Sequence, residues 1–184
     1  MAWSPDNELL ASAGSSPDIS FWETKTLSRV RSIAGAPAFC DSLAWSKDGK
    51  ILALGGQENS VQLRDPQTGS LLRALPGHAG GVLQCVAFSP DGKSLVAAGW
   101  CGIARVWNVQ TGSPRGSLLQ LANGQGAIFS AEGHFQGTEQ SQAAVVYVAE
   151  QDDGLQVTLP PSEFAQRFHW QNDPQRVKIF GAVD

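Results

Sequence analysis

The chain is poor in cysteine. Of 184 residues only Cys40, Cys85 and Cys101 are thiols, and none lies within CxxC spacing of another. An odd, widely spaced set does not read as a disulfide framework, and without CxxC a structural zinc site has no ligand pair to start from. The three side chains therefore read as small, partly buried hydrophobes. Long apolar runs are also missing: no stretch reaches the roughly 18 residues of a membrane-crossing helix, and no secretory signal opens the chain. Basic charge is scarce. Residues 1–119 hold ten Lys/Arg against nine Asp/Glu, and residues 120–184 hold three against eight. Neither part offers the basic stripe that phosphate backbones require, which argues against nucleic acid as a partner.

Catalytic signatures are absent too. There is no GxSxG and no HExxH. "NGQGAIFSAEG" has two glycines near a strand but no helix at once after it, so it is not a dinucleotide loop. Asp152–Asp153 reads as a solvated turn, and Glu132 and His134 as parts of an "EGH" turn rather than metal ligands. These readings lead to an expectation of no enzyme activity, no cofactor and no metal.

What is present is a repeat. "AWSPDNELLASAG" starts at Ala2, "AWSKDGKILALGG" at Ala44 and "AFSPDGKSLVAAG" at Ala87. The turns begin at Ser4, Ser46 and Ser89, steps of 42 and 43, and a second marker keeps the same steps at Trp22, Arg64 and Trp107. Two markers in register at this period signal a stacked or radial repeat. Each unit reads as short strands separated by turn residues. In the third, "QCVAF", "SLVAAG", "IARVW" and "SPRGSLLQL" are strands, with "SPDG" a tight turn whose glycine accepts positive φ. Four such strands form one antiparallel sheet that cannot cover its own faces, and radial packing against neighbours solves that.

These phrases, with "PGH" at Pro76–His78 and "VWNVQTG" from Val106, resemble the WD-repeat β-propeller family over residues 1–121. The resemblance implies an all-β partial propeller of about three to four four-stranded antiparallel blades. The dipeptide that names the family would fall at Trp22–Glu23, Arg64–Asp65 and Trp107–Asn108, and no copy is intact. The family's Asp–His–Ser/Thr–Trp network also looks broken, so these blades are expected to rely on packing. Continuing the register, residues 122–159 read as a degenerate closing blade or a β-hairpin, with "AAVVYVAE" and "LQVTL" as strands. Residues 160–184 form a short helix and tail. Pro161 and Glu163 suit a helix start, and Phe164 and Phe168 share one face with Trp170 extending it. That face either packs on its own domain or docks a partner. The segment from "SAEGHF" to "NDP" looks like the C-terminal segment of large bacterial WD-repeat proteins.

The resemblance implies a protein or peptide partner on the rim, bound by loops between strands. The residues expected there are Asp18, Gln57, Glu58, His78 and Trp100. A large aromatic such as Trp100 in a loop slot is either a packing plug or a binding hot spot. Met1 falls inside a first strand, so the missing blades are expected from upstream chain or from self-association, and a cytoplasmic location is expected. The function expected is a non-catalytic interaction scaffold, the C-terminal part of a propeller; the alternative is a regulatory propeller beneath an upstream kinase or protease domain.

Overall fold

A computed structural model describes residues 1–37, 39–76, 82–121, 124–150 and 156–179. The chain divides into two units, 1–115 and 116–184. In the first, β1 (Ala2–Trp3), β2 (Leu9–Ser12), β3 (Asp18–Glu23) and β4 (Arg29–Ala34) form one antiparallel sheet in chain order. The next is β5 (Cys40–Trp45), β6 (Leu52–Gly56), β7 (Ser60–Arg64) and β8 (Leu71–Pro76). β9 (Leu83–Phe88), β10 (Ser94–Gly99) and β11 (Ile103–Asn108) follow with the same antiparallel pairing. β1 packs against β5 and β5 against β9, so the sheets meet through their first strands. All-β blades arranged this way are a partial propeller.

The cores lie between blades. Ala11, Ile19 and Phe21 of the first sheet pack with Cys40, Leu43, Leu52 and Leu54 of the second. Ala53, Val61, Leu63 and Leu75 of the second pack with Leu83, Val86, Leu95, Ala97 and Trp107 of the third. Side chains on a strand alternate between faces, so β3 buries Ile19 and Phe21 while Ser20 and Trp22 face the other way. β6 does not alternate: all five residues are buried, because a middle blade has a neighbour on each face. Each fully buried leucine or phenylalanine contributes about 1.5–3 kcal/mol. Polar links sit over the seams. Arg31 Nη1 donates to the Gln67 carbonyl at 2.8 Å, and 42 residues on, Arg73 donates to the Gln110 and Thr111 carbonyls at 3.1 and 2.9 Å. Trp45 Nε1 donates to the Ala2 carbonyl at 3.1 Å.

The repeated turn is a four-atom network. Ser4, Ser46 and Ser89 Oγ donate to Asp6, Asp48 and Asp91 Oδ1 at 2.5, 2.6 and 2.5 Å. The same hydroxyls accept from the N–H of Leu9, Ile51 and Ser94, each at 2.9 Å. Each aspartate also accepts the backbone N–H two residues on. The left-handed residue is Asn7, Gly49 or Gly92, at φ 61, 72 and 72°. The second turn of the repeat works alike where its side chain permits. Asp65 Oδ1 accepts from Gln67 and Thr68 N–H, and Asn108 Oδ1 from Gln110 and Thr111 N–H. One leg of the family network is present, Trp22 Nε1 donating to Ser12 Oγ at 2.8 Å.

In the second unit β12 (Pro114–Gln120), which begins just before the division, pairs with β13 (Gly126–Ser130), and β13 with β14 (Phe135–Gly137). The β13–β14 turn repeats the serine pattern: Gly133 at φ 88° donates to the Ser130 carbonyl, and His134 N–H donates to Ser130 Oγ. Helix α1 (Glu139–Ala143) is capped by Thr138, and β15 (Tyr147–Glu150) pairs with β16 (Gln156–Leu159) as a separate hairpin. Residues 151–155, including Asp152–Asp153, lie outside the described residues.

Helix α2 (Pro161–Phe168) then lays its aromatic face on its own unit. Phe164 stacks on Tyr147 with centroids 4.4 Å apart and meets Phe168 at 4.7 Å and Trp170 at 5.8 Å. The helix ends where His169 turns left-handed at φ 52°, three residues before Asn172. Asn172 then pairs with both backbone groups of Phe135, at 2.8 and 3.0 Å. The packing alternative for this helix is thus met by contacts within the unit.

Two outcomes are expected. The carboxyls of Asp6, Asp48 and Asp91 sit below their ordinary value of 3.8, held there first by the serine hydroxyl and then by the backbone N–H. A depressed folded-state value gives stabilisation that is complete above pH about 4 and is lost as pH falls through that value. Replacing all three by asparagine will lower the urea midpoint at neutral pH and flatten the decline below pH about 4; an unchanged acid slope refutes the assignment. Phe164→Ala will destabilise the second unit by about 2 kcal/mol and speed amide exchange in α2; unchanged protection there would show that the aromatic face carries no packing.

Candidate functional site

One end of the first unit gathers the expected loops. The β2–β3, β6–β7 and β10–β11 turns all lie there, because the strands they join run the same way in each blade. The link between the first and second sheets lies at this end too, since Ala34 pairs with Asp18. The Ser-Asp turns occupy the other end.

The β2–β3 turn is held by backbone bonds to the link that follows its blade. The Pro17 carbonyl accepts both Gly35 and Ala36 N–H, at 2.9 and 2.8 Å, and the Gly14 carbonyl accepts Cys40 N–H at 2.9 Å. These bonds bind the β2–β3 turn to the inter-blade link. Asp18 is exposed at the start of β3, and its N–H donates to Ser16 Oγ at 3.3 Å. Gln57 and Glu58 are exposed on the β6–β7 turn, where Glu58 Oε2 accepts from Gln62 Nε2 at 3.0 Å. Trp100 stands on the β10–β11 turn, which Gly102 closes at φ 72°. Its side chain is 76% exposed, so it fills no packing slot as a plug would. Asp18, Gln57, Glu58 and Trp100 thus share one end, on three turns, and are not bonded to one another. His78 lies outside the described residues.

The structure adds Phe39, which pattern reading passed over. It is 49% exposed and adopts φ 52°, a left-handed conformation that costs a non-glycine residue about 1–2 kcal/mol. Gly56 makes room for it: a Cβ at position 56 would sit 2.3 Å from the Phe39 carbonyl oxygen. The only sequence signal is an aromatic inside the linker "APAFC", a place where repeats ordinarily carry no fixed pattern.

The thiols divide three ways. Cys40 is buried, Cys101 is half-buried and Cys85 is exposed on β9, so the reading of all three as partly buried fails at Cys85, whose strand position turns away from the inter-blade core. Burial pushes the Cys40 thiol up to about 11, which leaves it no nucleophilic character at neutral pH. Among the described residues no three His, Cys, Asp or Glu side chains converge to hold a metal ion. A cleft of about 380 Å³ lies at the opposite end, lined by Asp48, Asp91, Lys47 and Val109 among others.

Antiparallel blades packed face to face, each entered through the same serine–aspartate turn, define a β-propeller. The comparisons narrow the class. A family model described as the WD domain, G-beta repeat matches residues 69–108, and one described as the anaphase-promoting complex subunit 4 WD40 domain matches residues 1–83. Over residues 1–108, which the two models cover between them, the chain belongs to the WD40-repeat family. No curated protein matches it. Among solved structures, the RRP9 WD40 repeats align over 73% of this chain and 48% of theirs, with TM-score 0.58 and 19% identity. The structure of U3-55K aligns over 85% of this chain and 49% of its own, with TM-score 0.60 and 18% identity. At such identities the likeness is one of fold, and the chain spans about half the length of the structures it matches.

The thiol difference is testable. In the native protein, a thiol reagent at neutral pH will label Cys85 fast and leave Cys40 unmodified until denaturant is added, and Cys85→Ser will remove the fast phase. Rapid labelling of Cys40 without denaturant would show that the seam between the first two blades opens.

Proposed function

We propose that the chain is a non-catalytic protein–protein interaction scaffold, part of a WD-repeat propeller that offers its Trp100 end to a protein or peptide. Propellers of this family generally bind such partners. The observation that supports the reading is Trp100 itself, a large aromatic left in water on a turn fixed by a hairpin. Burying such a side chain on binding is favourable, and a rigid support keeps the ordering cost low. Gln57, Glu58 and Asp18 would line the same surface, and His78 is assigned to it on its place in the repeat. Nucleic acid and membrane are not part of this reading, and a cytoplasmic setting is.

The remaining blades would come from further chain upstream or from a second copy. One flank supports this. Trp3 holds in the first sheet the place that Trp45, packed against the first blade, holds in the second, yet Trp3 is 59% exposed. The alternative, a regulatory propeller serving a kinase or protease domain upstream, differs in what adjoins that flank rather than in the rim.

Comparing proteins retained by the wild type and by Trp100→Ala tests the scaffold reading. Because Trp100 is exposed, the variant will melt within about 1 °C of the wild type. It will lose the retained partners. An identical set of retained proteins on both would refute a role for this end.

A further inference from the structure

The second unit buries a titratable side chain that the packing of α2 does not explain. His134 lies just before β14 and is 4% exposed. Ser130 fixes its backbone on both sides: the His134 N–H donates to Ser130 Oγ at 3.2 Å, and its carbonyl accepts the Ser130 N–H at 2.7 Å. The ring stacks on Trp170, with centroids 5.0 Å apart and planes 18° apart. Its Nδ1 accepts the Asp173 N–H at 3.1 Å. A ring nitrogen that accepts carries no proton, so the imidazole proton here is on Nε2.

A second ring proton has no place in this arrangement. On Nδ1 it would face the Asp173 N–H, donor against donor, across 3.1 Å. The ring cannot step aside, because Trp170 covers one face and Ser130 holds the main chain. The half-buried Asp173 N–H would lose its acceptor, which costs free energy wherever water cannot replace it. The charged neighbours act in the same sense. His134 Nε2 is 3.9 Å from Glu132 Oε2, the oxygen that Arg176 Nη2 also holds, so an imidazolium would compete with Arg176 for it. The Asp173 carboxylate is committed to the Gln175 N–H at 3.0 Å. From β15, Tyr147 Oη donates to the Gly133 carbonyl at 3.1 Å, and its ring meets Trp170 edge-on at 5.1 Å. On α2, Glu163 and Arg167 are exposed, with Arg167 Cζ 5.7 Å from the Phe168 ring centre; His169 and Lys178 are exposed as well.

We infer that His134 is a proton-operated latch on the segment Asp173–Arg176. With one ring proton it holds that segment on the β13–β14 turn, through Asp173 directly and through Glu132 and Arg176 beside it. With two it releases the segment, while Asn172, bonded to both backbone groups of Phe135, stays in place as the hinge. Imidazole is the side chain that ordinarily changes charge between pH about 5 and 8. The closed form holds one proton fewer than the open form, so closing is favoured as pH rises and is lost as pH falls. The latch lies wholly within the second unit and stands apart from the scaffold reading.

The experiment uses the whole chain, labelled with nitrogen-15, and follows amide exchange by NMR from pH about 7.5 to about 5.5, the range in which imidazoles ordinarily gain a proton. Corrected for the intrinsic pH dependence of exchange, protection of the Asp173 amide will fall about ten-fold over this range, while that of Phe135, bonded to Asn172, will hold. His134→Asn sets an amide oxygen in the place of Nδ1 and cannot take the second proton, so it will keep the Asp173 amide equally protected at both ends of the range. Wild-type protection that does not change with pH overturns the latch. A loss of the same size in His134→Asn overturns it too, since another group would then be the trigger. Should that variant not fold, the wild type decides alone: the Asp173 amide shift and the His134 ring nitrogen shifts will move with one midpoint, and separate midpoints overturn the latch.

Discussion

A four-stranded antiparallel sheet has two faces and no means of drying either by itself. Everything else in the first unit follows from this constraint. Ile19 and Phe21 become core only because Leu52 and Leu54 of the next blade lie on them, and Val61 and Leu63 only because Leu83 and Leu95 do the same. The middle blade feels it most, and β6 is buried on both faces. A strand of "LALGG" would be a poor choice for a half-exposed sheet, where alternation is favoured. Its glycine is also shaped by the neighbour: a Cβ on Gly55 would lie 2.9 Å from Val86 Cγ1. Stability here is thus shared between adjacent blades, as nearest-neighbour terms are in repeat proteins.

Polar groups keep the blades in phase rather than hold them together. The serine hydroxyl of each first turn both donates and accepts, which leaves no unsatisfied group where Ser4 and Ser46 are buried. Arg31 and Arg73 reach from an outer strand of one blade to the turn carbonyls of the next, an arrangement set by the 42-residue step rather than by either blade alone. The degenerate family dipeptide is tolerable in this light. Asp65 and Asn108 still cap their turns, while Arg64 supplies its own bonds to Gln62 and the Gly69 carbonyl. Short links local to each turn stand beside the one leg of the family network seen among the described residues, Trp22 to Ser12.

Function on such a scaffold resides where the sheets have no say. The β2–β3 turn at the Trp100 end is braced by backbone bonds to the inter-blade link, and loops held on such a scaffold are where binding residues ordinarily sit. Trp100 and Phe39 are exposed there, 76% and 49%. The second unit spends its aromatics differently. Tyr147, Phe164 and Trp170 close on one another, and Asn172 ties the following segment to β14 through a backbone-like pair of bonds.

The blade boundaries, the turn with its positive φ, and the α2 start were legible in the sequence, because period, proline, glycine and alternation are local properties of a chain. The rim loops were legible for the same reason: a loop's place in a repeat is a matter of counting. Whether Trp100 is a plug or a free surface was not, since exposure depends on what other segments lie above it, and only the fold decides that. Phe39 was invisible for a like reason. Its left-handed backbone and its exposure follow from Gly56 and Gly14, residues 17 and 25 positions away in the sequence. Cys85 was misjudged because a strand's pattern shows two faces but not which of them meets a neighbour. The sequence by itself determined the repeating sheets and their order. The tertiary structure alone decided which faces meet and which aromatics stay wet, because those depend on contacts between segments that no local pattern encodes.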